Sequence, residues 1–344
     1  MPRSDQNITA RLQALNTGSR RIFPGLAVAG LVAVTAQFLS EHYGAPAMLM
    51  ALLLGLALNF LAEEGTRTEA GIGFAARHVL RLGVALLGAR ISVDMLAGLG
   101  APVIALVIGG VVATILFALL LGRAMGSLWQ FALLTGGAVA ICGASAAMAI
   151  AAVLPARDKS ERDLIFTVLA VTVLSTVAMV LYPVLTGALG LDDRAAGVFL
   201  GGTIHDVAQV VGAGFSISPE AGETATLVKL IRVAMLAPVV LVISVIVRRM
   251  GQGDRTGPRP PLLPGFVLGF LVLAGLNSAG LIPAGLADWA STISRWFLLM
   301  AIAAVGIKTS LRKMLTVGPR PLLMIVTQTV VLAIWVLVGM RLVG

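Results

Sequence analysis

Residues 199–218 read FLGGTIHDVAQVVGAGFSIS, an apolar stretch that carries His205 and Asp206 side by side near its middle. Ionisable side chains at membrane depth are costly unless they face a cavity or a partner, so they indicate a functional site. The same stretch holds Gly201 and Gly202, and paired glycines lower helix stability. We therefore predict a discontinuous membrane helix here, with a site at its centre.

A second stretch, residues 133–156, reads LLTGGAVAICGASAAMAIAAVLPA and also opens on a glycine pair, Gly136 and Gly137. A broken helix exposes N–H groups that bind anions and carbonyls that bind cations. Gly143 and Ser145 offer a further break and a hydroxyl donor one turn later. The alternative is that these small residues serve close helix packing.

Composition places the whole chain in a membrane. Hydrophobic residues make up 58% and charged residues 12% of the 344 residues, and the mean hydropathy is +0.99. The net charge of +9 is scattered between apolar runs with no basic face interleaved with aromatics, so nucleic acid is not an expected partner. Cys142 is the single cysteine, which excludes an internal disulfide and a cysteine-based metal site.

Eleven apolar stretches approach the length that a membrane helix needs, about 20 residues. Backbone groups in lipid must be satisfied internally, so these segments are helices and the fold class is an all-α polytopic membrane protein. The segments fall at roughly 23–39, 46–62, 74–92, 98–122, 128–155, 164–189, 195–216, 224–247, 262–282, 288–307 and 319–342.

Residues 1–22 form a predicted cytoplasmic tail, and residues 23–344 form a single integral membrane transporter domain. Loop Lys and Arg residues place the N-terminus in the cytoplasm of a bacterial cell, in the inner membrane. The loop ARDKSERD (156–163) contradicts this orientation if every segment crosses. Either the acidic residues of this loop weaken the signal, or segments five and seven re-enter without crossing. In the second case the Lys and Arg residues of every loop agree with a cytoplasmic N-terminus.

The chain aligns with itself at an offset of 218 residues. Asn59 falls on Asn277 and Arg90 on Lys308, and segments two to four repeat as segments nine to eleven. The halves, about 46–122 and 264–342, then have opposite orientations, which is the inverted-topology repeat of secondary transporters. Chance similarity between two Leu-, Ala- and Gly-rich regions is the alternative.

Lys229 and Arg232 lie inside segment eight, a helical turn apart. Buried positive charge next to broken-helix N-termini predicts an anionic substrate. A histidine side chain ordinarily titrates near neutral pH, so His205 is a candidate proton carrier with Asp206 or a neutral donor to the substrate, although the two could also form a structural pair. Arg77 and Lys308 are more readily explained as interface anchors than as ligands.

The runs GGTIHDVAQVVGAG and KLIRVAMLAPV, together with ALLGARIS, ICGASAAMA and VGIKTSL, resemble the YeiH-type family of bacterial inner-membrane proteins, which is associated with sulfate export. The resemblance covers about residues 23–342 and implies a relationship to the inverted-repeat superfamily of bile-acid symporters and sodium/proton antiporters. It also implies a core of crossing broken helices, a panel domain and, by analogy, a homodimer. The family commonly has Glu where this chain has Asp206.

The leading hypothesis is a secondary transporter that exports a small anion, sulfate or an organosulfonate, coupled to protons or Na⁺. His205 and Asp206 are the expected proton-coupling residues. A monovalent cation/proton antiporter using Asp206 is the alternative, and an intramembrane enzyme or a scaffold is a third class without a motif; no enzyme activity, cofactor or metal is expected. The expected substrate-binding residues are Gly136, Gly137, Gly143, Ser145, Gly201, Gly202, Thr203, Gln209, Lys229 and Arg232.

Overall fold

A computed structural model describes residues 3–43, 45–89, 93–155, 160–250, 265–309 and 319–343, and these residues are helical with short connections. The helices are α1 (Arg3–Tyr43), α2 (Ala47–Ala57), α3 (Glu69–Phe74), α4 (Leu80–Leu87), α5 (Val93–Ala124), α6 (Trp129–Ala140), α7 (Ala144–Ala151), α8 (Ser160–Ala188), α9 (Asp193–Thr203), α10 (Val207–Ile217), α11 (Pro219–Ala234), α12 (Leu236–Arg249), α13 (Gly265–Ser278), α14 (Ala284–Lys308) and α15 (Pro319–Val343).

Seven helical stretches within these ranges are long and apolar enough to cross a membrane. They confirm a polytopic membrane protein, whereas the count of eleven segments stays a prediction. Their bounds are Arg20–Tyr43, Glu69–Leu87, Ala97–Ala124, Arg162–Ala188, Pro219–Arg249, Gly285–Lys308 and Pro321–Val343. The first span continues a longer helix, because α1 runs without interruption from Arg3 to Tyr43, and residues 3–22 of the predicted tail are therefore helical.

The helices form two bundles. The first comprises α1 to α4, α13 and α14, and the second comprises α5 to α12 and α15. Within the described residues, α10 makes the main contact between the bundles, against α2 and α14. The second bundle therefore contains both segments that were predicted to be discontinuous.

Both of these segments are interrupted, which confirms the prediction that they are broken. Residues 141–143 separate α6 from α7, and residues 204–206 separate α9 from α10. Gly143 has a φ of 62°, a backbone conformation that favours glycine. Because this conformation is not helical, the chain cannot continue from α6 into α7 as one helix. The second break ends at Asp206, whose carboxylate caps α10 by accepting from the Ala208 N–H at 3.1 Å.

The positions predicted for the breaks, at the two glycine pairs, are wrong. The glycines Gly136 and Gly137 lie inside α6, and Gly201 and Gly202 lie inside α9. A Cβ on Gly136 would overlap Ala118 of α5, and one on Gly201 would overlap the Ala225 carbonyl of α11. The glycine pairs therefore serve close helix packing, the alternative that the sequence left open.

The segment formed by α9 and α10 folds back on itself. A Cβ on Gly197 would lie 2.8 Å from the Ala221 carbonyl oxygen, and a Cβ on Gly214 would lie 3.0 Å from the same atom. In a straight helix these two glycines would be roughly 25 Å apart. Both ends of this segment consequently lie beside the start of α11, so it is a re-entrant helix hairpin.

The segment formed by α6 and α7 has the same form. The side chain of Ile150 occupies the place that a Cβ on Gly137 would take. A straight helix would separate these two residues by roughly 20 Å. This geometry agrees with the alternative in which segments five and seven re-enter without crossing.

Cysteine labelling tests this topology. In a Cys142→Ala background, Asp193→Cys and Glu220→Cys, which flank the α9–α10 hairpin at exposed positions, should both react with an impermeant maleimide from the same side of the membrane. The matched control is Arg162→Cys with Gly187→Cys, at the two ends of the spanning helix α8, which should react from opposite sides. Opposite-side labelling of the first pair would contradict the hairpin.

Candidate functional site

The two hairpin tips meet inside the second bundle. A Cβ on Gly143, in the first tip, would lie 3.6 Å from the His205 carbonyl oxygen in the second tip. The tips also contact α8, where Val171 lies beside Gly143 and the Ser175 hydroxyl accepts from the Asp206 N–H at 3.2 Å. Four helix ends thus converge at one buried place, the ends of α6 and α9 and the starts of α7 and α10.

Arg232 of α11 holds the C-terminal ends of α6 and α9 together. Its guanidinium donates to the carbonyls of Ala140 at 2.9 Å and Val139 at 2.7 Å in α6. It also donates to the carbonyls of Gly201 and Ile204, each at 2.9 Å, at the end of α9. Since Arg232 is only 1% exposed, these charge-assisted bonds form in a site shielded from water.

Lys229 lies one turn earlier on α11 and joins the same two helix ends. Its ammonium Nζ is 2.6 Å from the Ile141 carbonyl oxygen and 3.0 Å from the Ile204 carbonyl oxygen. The side chain is fully buried. Helix C-termini carry partial negative charge, so two cations are electrostatically matched to the two ends. Their predicted role as substrate ligands stays a prediction.

The start of α10 is also satisfied by the protein, through Asp206, whereas α7 begins at Gly143 without a side-chain cap. By helix geometry, the N–H groups of Ala144 and Ser145 have no partner within α7. The Ser145 side chain is exposed, so the described residues do not cover this side of the first turn of α7.

His205 is held in one orientation by α15. Its Nε2 lies 2.9 Å from the Thr329 hydroxyl, which itself donates to the Ile325 carbonyl. Because that hydroxyl has one proton, it accepts from His205, which places the ring proton of neutral His205 on Nε2. Nδ1 has no hydrogen-bond partner among the described residues.

Hydroxyl and amide groups around the tips complete the polar cluster. Gln209 is buried, and its amide nitrogen lies 3.5 Å from the Thr176 hydroxyl. Ser175, Thr176 and Thr329 were missed by the sequence reasoning, because single hydroxyl residues in apolar helices usually bond to their own backbone. Within the described ranges, no cluster of His, Cys, Asp and Glu could hold a metal ion.

The side chains of Thr203 and Asn59 bond to backbone carbonyls outside the tip cluster. Thr203 is buried and donates to the Phe199 carbonyl of its own helix at 2.6 Å. Asn59 donates to the Ile307 carbonyl at 2.7 Å, which ties the end of α2 to the last turn of α14. Lys308 ends α14 at an exposed position, and Asn277 lies in the last turn of α13. Arg90 lies outside the described residues.

The fold and the site define an all-helical polytopic membrane protein with two re-entrant hairpins that meet at buried cations. A family profile described as Conserved hypothetical protein 698 matches residues 24–325. The chain is 72% identical over 323 residues to UPF0324 membrane protein TauZ of Paracoccus pantotrophus, covering 94% of this chain and 96% of that relative.

It is also 62% identical to UPF0324 membrane protein RB0971 of Rhizobium meliloti, over 97% of each chain. With UPF0324 membrane protein CT0845 of Chlorobaculum tepidum it shares 50% identity, over 95% of this chain and 91% of the relative. The chain therefore belongs to the UPF0324 family of membrane proteins, which confirms the resemblance to the YeiH-type family.

Proposed function

We propose that the protein is a secondary transporter that exports a small anion, sulfate or an organosulfonate, coupled to protons or Na⁺. The observation that carries the proposal is the imbalance among the four helix ends at the hairpin tips. Arg232 and Lys229 satisfy two of them and Asp206 satisfies a third, whereas the start of α7 lacks a side-chain cap. Transport rather than catalysis is the proposed activity.

An uncapped helix start is a favourable anion site, because its N–H groups and its partial positive charge both point toward the ligand. Gly143 has no side chain that would block approach to these groups, and the exposed Ser145 adds a hydroxyl donor. Lys229 and Arg232 lie across the same break and raise the local positive potential. A sulfate or sulfonate group presents the oxygen acceptors that such a site requires.

The cation/proton antiporter receives less support from these contacts. Carbonyl oxygens at broken-helix C-termini are the usual cation ligands in transporters of this kind. In this protein the carbonyls of Ile141 and Ile204 already accept from Lys229. Asp206, the carboxylate that an antiporter would use, is bonded to the start of α10.

An inverted repeat is part of the proposal, and reciprocal contacts support it. A Cβ on Gly88 would overlap the Phe270 carbonyl, and a Cβ on Gly306 would overlap the Leu52 carbonyl. Positions 88 and 306 differ by 218, as do positions 52 and 270, so one contact is the image of the other under the sequence offset. With both hairpins re-entrant, the loop charges favour a cytoplasmic N-terminus in the inner membrane. By analogy we also propose a homodimer.

A substitution that supplies the missing negative charge tests the anion site. Ser145→Asp places a carboxylate at the second residue of α7, where it should bind the free N–H groups and displace the substrate. Wild-type protein in detergent should be stabilised by sulfate or taurine, by about 2.7 kcal/mol at a hundred times Kd. We expect Ser145→Asp to lose this stabilisation while it retains its own unliganded Tm.

Ser145→Asn is the matched control, since it has the same shape as Asp without the charge and should keep anion-dependent stabilisation. The thermal-shift panel should contain sulfate, sulfite, thiosulfate, carboxylates and chloride as their choline salts, and taurine as the free zwitterion. An equal anion response in wild type and Ser145→Asp would show that the anion does not bind at the start of α7. No response of the wild type to any anion would contradict the proposed substrate class.

A further inference from the structure

Two cationic side chains fill a cluster of five carbonyl oxygens. Those of Val139, Ala140 and Ile141 come from the end of α6, and those of Gly201 and Ile204 come from the end of α9, where the chain turns at each hairpin tip. All lie in the buried interior of the second bundle. Such a cluster resembles the oxygen cage that a hard cation prefers.

The Lys229 ammonium lies between the two hairpin tips, among oxygen atoms of the kind that a hard cation prefers. Its Nζ bridges the Ile141 and Ile204 carbonyls, one from each hairpin tip, at 2.6 and 3.0 Å. Unwound backbone and half-helix C-termini bind Na⁺ in other broken-helix transporters. A Lys ammonium is a compact point charge, which suits it to replace a spherical ion.

We propose that Lys229 is a tethered cation that permanently occupies a Na⁺ site between the two hairpin tips, so the protein does not couple to Na⁺. Its consequence for coupling rests on the proposed function. Arg232 has a different task, because its planar guanidinium spans both helix ends with four bonds. Besides the Cys142 thiol, the ionisable groups left at the site for coupling are His205 and Asp206, and we therefore assign H⁺ as the coupling ion.

Removing the tethered amine should uncover the cation site. We expect Lys229→Ala, purified in detergent, to gain a Tm rise of several degrees in NaCl relative to choline chloride at equal ionic strength. Methylammonium chloride, a free analogue of the missing group, should restore part of the lost Tm. Wild-type protein should respond to neither cation.

Lys308→Ala is the matched control, because Lys308 is a membrane-helix lysine at an exposed helix end away from the carbonyl cluster. It should gain no response to Na⁺ or methylammonium. Lys229→Met, which retains the length and apolar volume of the side chain, provides a second variant if Lys229→Ala does not fold. It removes the amine without opening a cavity in its place, and it should lose stability.

Two results would overturn the proposal. One is a Na⁺-specific rise in the Tm of the wild-type protein, a measurement that can be made without any variant. The other is a folded Lys229→Ala protein that responds to neither Na⁺ nor methylammonium. Failure of the anion panel leaves this inference standing, because a cation response of the variant reports on the carbonyl cluster whatever the substrate is.

Discussion

Arg232→Ala is expected to produce the largest loss of stability of any single substitution in the second bundle. Arg232 supplies four of the six hydrogen bonds that satisfy the converging ends of α6 and α9. Its removal leaves the carbonyls of Val139, Ala140 and Gly201 without these donors, in a site that water does not reach. Unsatisfied backbone groups at membrane depth cost several kcal/mol each.

We expect Arg232→Ala to destabilise the protein by about 3–5 kcal/mol, the range for removing one partner of a buried charged contact. Since folded proteins are stable by only about 5–15 kcal/mol, much of the variant should aggregate on extraction into detergent. Size-exclusion chromatography and thermal unfolding measure this effect. Arg232→Lys should recover only part of the stability, because an ammonium group cannot reproduce the fork that spans both helix ends.

Arg249→Ala is the matched control for this prediction. Arg249 lies in the last turn of α12 and is exposed, so its removal should change stability by less than about 0.5 kcal/mol. An Arg232→Ala protein that is monodisperse and unfolds within about 0.5 kcal/mol of the wild type would show that the four bonds do not hold the hairpin tips together.

Asp206→Asn is expected to abolish proton-coupled transport while the fold is retained. The Asp206 side chain caps α10 by accepting from the Ala208 N–H, and Asn caps helices as well as Asp does. The stability cost should therefore stay below about 1 kcal/mol. The amide cannot carry a proton, so anion uptake into proteoliposomes should no longer respond to a pH gradient.

Asp206→Glu keeps the carboxylate and should retain coupling, in agreement with the Glu that the YeiH-type family commonly carries at this position. Asp192→Asn is the matched control, because Asp192 also caps a helix start, by accepting from the Ala195 N–H at 2.7 Å, but lies in an exposed position. It should leave transport unchanged. If proton-driven uptake persists in Asp206→Asn, then either His205 alone carries the coupling proton or proton coupling does not take place at this site.

The amino-acid sequence by itself determined the class of the protein and identified which two of its segments are broken. A mean hydropathy of +0.99 requires a membrane, and local chemistry marks segments five and seven as broken, because Gly143 and the His205–Asp206 pair do not fit an uninterrupted apolar helix. Family membership follows from the sequence as well. These features depend on composition and on neighbouring residues, which a single chain displays directly.

Only the tertiary structure decided how those segments run and what the buried cations bind. A crossing helix and a re-entrant hairpin of equal length have the same hydropathy, so the fold-back shows only in the packing of Gly197 and Gly214 on α11. The partners of Lys229 and Arg232 are backbone carbonyls up to 93 residues away, and carbonyls are present in every residue. No side-chain pattern marks such an acceptor, so these contacts become visible only when the helix ends are placed in space.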